Sequence, residues 1–105
     1  KEITMLQKVE IVGKDPTGKS VICGLFKLFD TTGTPLYVVF DICQQYNCIP
    51  SWIHFYREAA NVGWKHKTIL DRLRDGMEDI YEREFIDTVL DRLDKIFGRE
   101  NNTPV

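Results

Sequence analysis

Apolar and polar positions alternate along the first third of the chain. Val9, Ile11 and Gly13 alternate with Lys8, Glu10 and Val12, and after Asp15-Pro16-Thr17-Gly18-Lys19 an apolar, partly β-branched run extends from Ser20 to Phe29. A period of two is that of a strand with one buried face. Asp-Pro-x-Gly is turn chemistry: Pro presets φ for a type I turn, Asp caps it, and Gly supplies the left-handed residue of a short hairpin loop. These signals predict a β-hairpin pairing roughly residues 5–13 with 20–29. A similar sequence, Asp30-Thr31-Thr32-Gly33-Thr34, closes the second strand.

From residue 34 the apolar spacing lengthens to three and four. Thr34 suits an N-cap and Pro35 a first helical position, with Leu36, Val39, Phe40, Cys43 and Tyr46 on one face and Tyr37, Asp41, Gln44 and Gln45 on the other. Asn47 suits a left-handed C-terminal residue. A third strand through Leu36-Tyr37-Val38-Val39-Phe40 competes, since those residues favour β structure. Ser51 predicts the cap of a helix carrying Trp52, Ile53, Phe55, Tyr56, Ala59 and Ala60 and ending near Gly63. Another helix, about 66–75, would bury Ile69, Leu70 and Leu73 and stop at Gly76. The last, about 77–97, aligns Tyr81, Phe85, Val89, Leu93 and Ile96, carries an Asp91/Lys95 pair, and leaves 98–105 as a fraying tail. Thr68–Leu73 echoes Thr88–Leu93, as amphipathic helices of common composition do. The expected fold is α+β and mainly helical: an N-terminal β-hairpin packed on three or four helices, the last long and amphipathic.

With 105 residues, 43% of them hydrophobic, the chain has room and material for one domain core. No apolar run reaches the length of a membrane span and no charged-then-apolar leader opens the chain, so the expected location is the cytoplasm. Cys23, Cys43 and Cys48 are too few and odd in number for a disulfide framework, which predicts reduced thiols. Net charge is −2, and the acidity collects in residues 77–105, with eight Asp/Glu against four Lys/Arg. A strongly basic patch, the usual basis of phosphate binding, is missing, which lowers the standing of nucleic acid as a partner.

Gly13-Lys14-Asp15-Pro16-Thr17-Gly18-Lys19-Ser20 satisfies the phosphate-loop spacing Gly-x4-Gly-Lys-Ser. On that reading Gly13 and Gly18 shape the loop, Lys19 reaches the terminal phosphates and Ser20 holds magnesium. The parallel sheet and crossover helices such enzymes need do not fit a chain that is helical beyond residue 50, and a hairpin explains the same residues. Cys43, Cys48, His54 and His66 match no compact zinc spacing, so no metal and no cofactor are expected. Glu78 with Glu82 and Asp87 with Asp91 read as a solvated helix face. Nothing here identifies a reaction, and the expectation is a protein that is not an enzyme.

Residues 38–58 fit a helix-turn-helix pattern, with Asn47 at the turn and Cys48, Ile53 and Tyr56 inward on the second helix. Its start, however, presents mostly apolar and aromatic residues instead of base and phosphate readers. The leading expectation is a small interaction module, an adaptor, inhibitor or assembly subunit, that binds a protein partner through Ile49, Trp52, Phe55 and Tyr56, with self-association through helix 77–97. The same aromatics could instead pack under the hairpin. A second reading is a nucleic-acid binder using Ser51, His54, Arg57, Lys65 and Lys67, with Arg72 and Arg74 on phosphates. The minimal nucleotide binder is the third.

Asp30-Thr31-Thr32-Gly33-Thr34-Pro35-Leu36, after Phe26-Lys27-Leu28-Phe29, is similar to a segment of alanyl-tRNA synthetases reading Asp-Thr-x-Gly-x-Pro-Leu. It covers about a tenth of the chain and lies outside the residues of aminoacylation chemistry. The resemblance implies a turn followed by a helix beginning at Pro35, and no activity or site.

Overall fold

The computed structural model describes the backbone of residues 9–102 and side chains as far as residue 98. Two short strands, β1 (Glu10–Lys14) and β2 (Ser20–Cys23), form the hairpin. They pair antiparallel with Glu10 opposite Cys23 and Lys14 opposite Ser20, and a bulge between Ile11 and Gly13 leaves Val12 out of register. The part of the predicted first strand before residue 9 lies outside the described residues.

The second strand ends earlier than its apolar run suggests. Gly24 takes a left-handed φ of 92°, open to a residue without Cβ, and the chain turns there into helix α1 (Leu25–Thr32). Residues 25–29, expected to continue the strand, are therefore helical. Leu25, Phe26 and Leu28 are buried while Lys27 is exposed. The Thr31 and Thr32 hydroxyls donate to the carbonyls of Lys27 and Leu28, four residues back.

Helix α2 (Leu36–Gln45) follows, so the strand alternative for 36–40 is set aside. Pro35 holds the N-cap position expected of Thr34, and its carbonyl accepts from Val38 and Val39 N–H. Asn47 has the expected left-handed φ, 57°. Three residues then form a strand absent from the sequence reading, β3 (Cys48–Pro50). It pairs parallel with β2, Val21 opposite Ile49, giving the order β1-β2-β3 with α1 and α2 as the crossover. Pro50 is tolerated on this edge strand, and Ser51 N–H donates to Ile22 O at 2.7 Å.

Helices α3 (Trp52–Asn61), α4 (His66–Met77) and α5 (Arg83–Asn102) complete an α+β, mainly helical fold with a long last helix. Ser51 caps α3, its Oγ accepting from His54 N–H. Gly76, expected to end α4, lies within it, and α5 starts at Arg83 instead of 77 and continues as helix to Asn102. Residues 98–102, expected to fray, are thus helical, and 103–105 lie outside the described residues. Ile86, Val89, Leu90, Leu93 and Phe97 of α5 pack into one core with Phe40, Phe55, Tyr56, Ile69 and Leu73. Among the described residues, no helix is long and apolar enough to cross a membrane.

Candidate functional site

A cleft of about 360 Å³ lies where the hairpin turn, β3, the start of α3 and one face of α5 meet. The sequence builds it locally. β3 carries Ile49 and Pro50 to the cleft, with Val21 paired beside Ile49, and the Ser51 cap starts α3 there so that Trp52 and Ile53 form a second wall. Phe85 and Val89, one helical turn apart on α5, form the opposite wall. Asp15, Ser51, Thr88 and Arg92 supply the polar groups of an otherwise apolar lining. Trp52 is half-buried and held edge-on against Phe40, Tyr81 and Phe85, with ring centroids 5.4, 5.9 and 6.3 Å away.

The predicted partner-binding residues divide. Ile49 and Trp52 line the cleft, whereas Phe55 and Tyr56, at 2% and 1% exposure, face the core. Phe55 meets Phe26 edge-on at 5.3 Å and Tyr56 stacks on Phe97 at 4.2 Å. An interface centred on these two side chains is therefore corrected: i+3/i+4 spacing identifies an apolar face without saying whether neighbours cover it. Of the apolar stripe offered for self-association, Val89 and Leu93 are buried, Tyr81 and Phe85 are half-buried, and Ile96 is exposed. Ile53, Phe85, Val89 and Arg92 were missed as site residues because they converge only through long-range packing.

The phosphate-loop residues Gly13, Gly18, Lys19 and Ser20 form the hairpin. Asp15 Oδ1 accepts from Thr17 N–H at 2.9 Å, Thr17 Oγ1 at 2.7 Å and Lys19 N–H at 2.8 Å. The protein's own carboxylate thus occupies the donors a phosphate would use, and strand β2 follows in place of a helix N-terminus. The Thr17 hydroxyl, with the Lys19 and Thr17 amides, holds the Asp15 carboxyl below its usual pKa.

The nucleic-acid candidates do not form a helix-turn-helix surface. Six residues, Tyr46 to Ser51, including β3, join α2 to α3, where that motif uses a turn of about three or four. His54, Arg57, Lys65 and Lys67 are exposed. Several neighbouring cations are already engaged: Lys67 pairs with Asp71, Arg74 with Asp87, Arg57 lies over Phe97, and Arg72 lies over Trp64 and Phe29. Ser51 is committed to its cap and to His54 Nδ1 at 2.6 Å.

One chain of acid–base groups crosses the helices. Tyr56 Oη lies 2.6 Å from His66 Nδ1, and His66 Nε2 lies 2.7 Å from Asp94 Oδ1, tying α3 to α4 and α5. Tyr56 and His66 are buried and Asp94 is exposed, so the chain of hydrogen bonds runs from the core to the surface. Gly98 closes over it: a Cβ there would stand 2.8 Å from Asp94 Oδ1. Burial also pushes the Cys43 thiol up to about 12, with Cys48 adding to the shift, so it is a poor nucleophile. The three cysteines are free thiols, and no cluster of three or more His, Cys, Asp or Glu side chains among the described residues is placed to hold a metal. In comparisons with known proteins, no family model, curated protein or solved structure matches the chain.

Proposed function

We propose that the protein is a small, non-enzymatic interaction module that receives an apolar segment of a protein partner in the cleft between α3 and α5. The observation that carries this is the cleft's lining. Trp52, Ile53, Phe85 and Val89 present an open apolar trough with a few polar groups, the composition that anchors hydrophobic side chains of a partner. Trp52 is held rigidly by three aromatic neighbours, so little side-chain entropy is lost when it is covered. The buried inner members of the Tyr56–His66–Asp94 chain support a role without catalysis.

The test is selection of peptides from a random display library on the immobilised protein, followed by calorimetry. Peptides bearing aromatic or aliphatic anchors should be recovered, and Ile53→Glu or Thr88→Lys should weaken them by roughly tenfold or more. Thr88 is exposed, so its substitution fills the cleft without touching the core. Recovery of no binder, or of peptides indifferent to both variants, overturns the reading. Duplex DNA or RNA bound with steep salt dependence would put nucleic acid in the partner's place.

A further inference from the structure

The α5 wall of the cleft is apolar at one end and charged at the other. Phe85, Val89 and Arg92 lie on successive turns of α5, and Trp52 meets Phe85 with ring centroids 6.3 Å apart. Arg92 therefore stands about 10 Å along the helix from the aromatic pair. It is exposed, and among the described residues its guanidinium has no ion pair and lies over no aromatic ring. The sequence explains why. Positions three and four away on the helix are Thr88, Val89, Lys95 and Ile96, none of them a carboxylate. The nearest acids along the chain are taken, Asp91 by Lys95 at 3.1 Å and Asp94 by His66 at 2.7 Å.

The other polar side chains of the lining are engaged by the chain itself. Asp15 Oδ1 accepts from Thr17 and Lys19, and Lys19, not Arg92, is the cation that helps to lower its pKa. Ser51 is committed to His54, and the Thr88 hydroxyl donates to Glu84 O at 2.9 Å. Arg92 is left to meet whatever fills the cleft. We infer that the partner segment carries an Asp or Glu that pairs with Arg92 while an aromatic or aliphatic side chain seats beside Trp52 and Phe85, a specificity that rests on the cleft being a peptide trough. The guanidinium presents a planar fork that matches a carboxylate with two hydrogen bonds. A neutral occupant would cover Arg92 without pairing it, and a basic one would be repelled, so the charge discriminates as well as attracts. The distance sets the partner's spacing: from anchor to acid is about seven residues of a helix laid along α5, or about three of extended chain.

Parallel selections from one random peptide display library, on wild type and on Arg92→Glu, followed by calorimetry, test this. Peptides from wild type should share an Asp or Glu at a fixed spacing from their apolar anchor, and those from Arg92→Glu should carry Lys or Arg there. Arg92→Glu should weaken the wild-type peptides by roughly tenfold, and exchanging the peptide's acid for Lys should restore binding to that variant. Arg92→Gln should weaken them less, and added salt should reduce wild-type binding. Because Arg92 is exposed and unpaired, both variants should melt within a few degrees of wild type. Thr88→Lys separates the two readings, since it fills the trough while adding a positive charge. Peptides lost with Thr88→Lys but indifferent to Arg92→Glu and without a shared acid leave the trough standing and overturn the inference. Recovery of no peptide on wild type overturns both.

Discussion

Asp15 shows how one residue can look like chemistry and be structure. It sits inside a sequence that satisfies a phosphate-loop pattern, yet its Oδ1 accepts three hydrogen bonds from Thr17 and Lys19 and so fixes the hairpin turn. Only the ionised carboxylate accepts these bonds at full strength, which is why its folded-state pKa lies below the usual 3.8, with the Thr17 hydroxyl the largest cause. A depressed carboxyl pKa stabilises the fold above the unfolded value, and that stabilisation is lost as pH falls through the folded value. Asp15→Ala is therefore expected to melt below wild type at neutral pH, with the two melting temperatures converging under acid, below about pH 4. Parallel melting series in the two proteins check this. A gap that stays constant on acidification would mean that the turn does not depend on the charge.

At the scale of elements, legibility followed the length over which a period could be read. Helices α2, α3 and α5 each offer several turns of apolar spacing, and Ser51 and Asn47 are read from local chemistry alone. Helix α1 has two turns, and its apolar residues continue a strand's, so the break at Gly24 was its one signal. Strand β3 has three residues and a proline, and it exists because β2 is there to pair with. Gly76 misled for a different reason. It allows α4 to cross α2 closely: a Cβ on it would stand 2.9 Å from Leu36 Cβ and 2.9 Å from Phe40 Cε2. In an exposed helix Gly→Ala gains about 1 kcal/mol, whereas overpacking a tight crossing costs about 1–3 kcal/mol. Both Leu36 and Phe40 are buried and have little room to withdraw. Gly76→Ala is expected to destabilise the protein by about 1–2 kcal/mol in urea titrations. A stabilised variant would show that α2 yields.

Across the molecule, aromatic contacts link the two ends of the core. Phe26, Phe29 and Trp64 cluster at one end, and Trp52, Tyr81 and Phe85 at the other. Phe55 touches Phe26 at 5.3 Å and Phe40 at 6.3 Å, and Phe40 in turn meets Trp52, so Phe55 joins the halves. Sequence spacing found these aromatics but could not divide them between core and cleft, because the division depends on α5 returning across α3 from more than thirty positions away. The difference is measurable. Phe55→Ala leaves a cavity at the junction and should cost about 3–5 kcal/mol, a large part of the 5–15 kcal/mol typical of a domain, lowering the melting temperature by roughly 15–30 °C. Thr88→Lys, on the cleft's exposed rim, should leave that temperature within a few degrees while abolishing capture of the selected peptides. If Phe55→Ala instead melted like wild type and lost the peptides, the aromatic face of α3 would be the binding surface and the cleft would not.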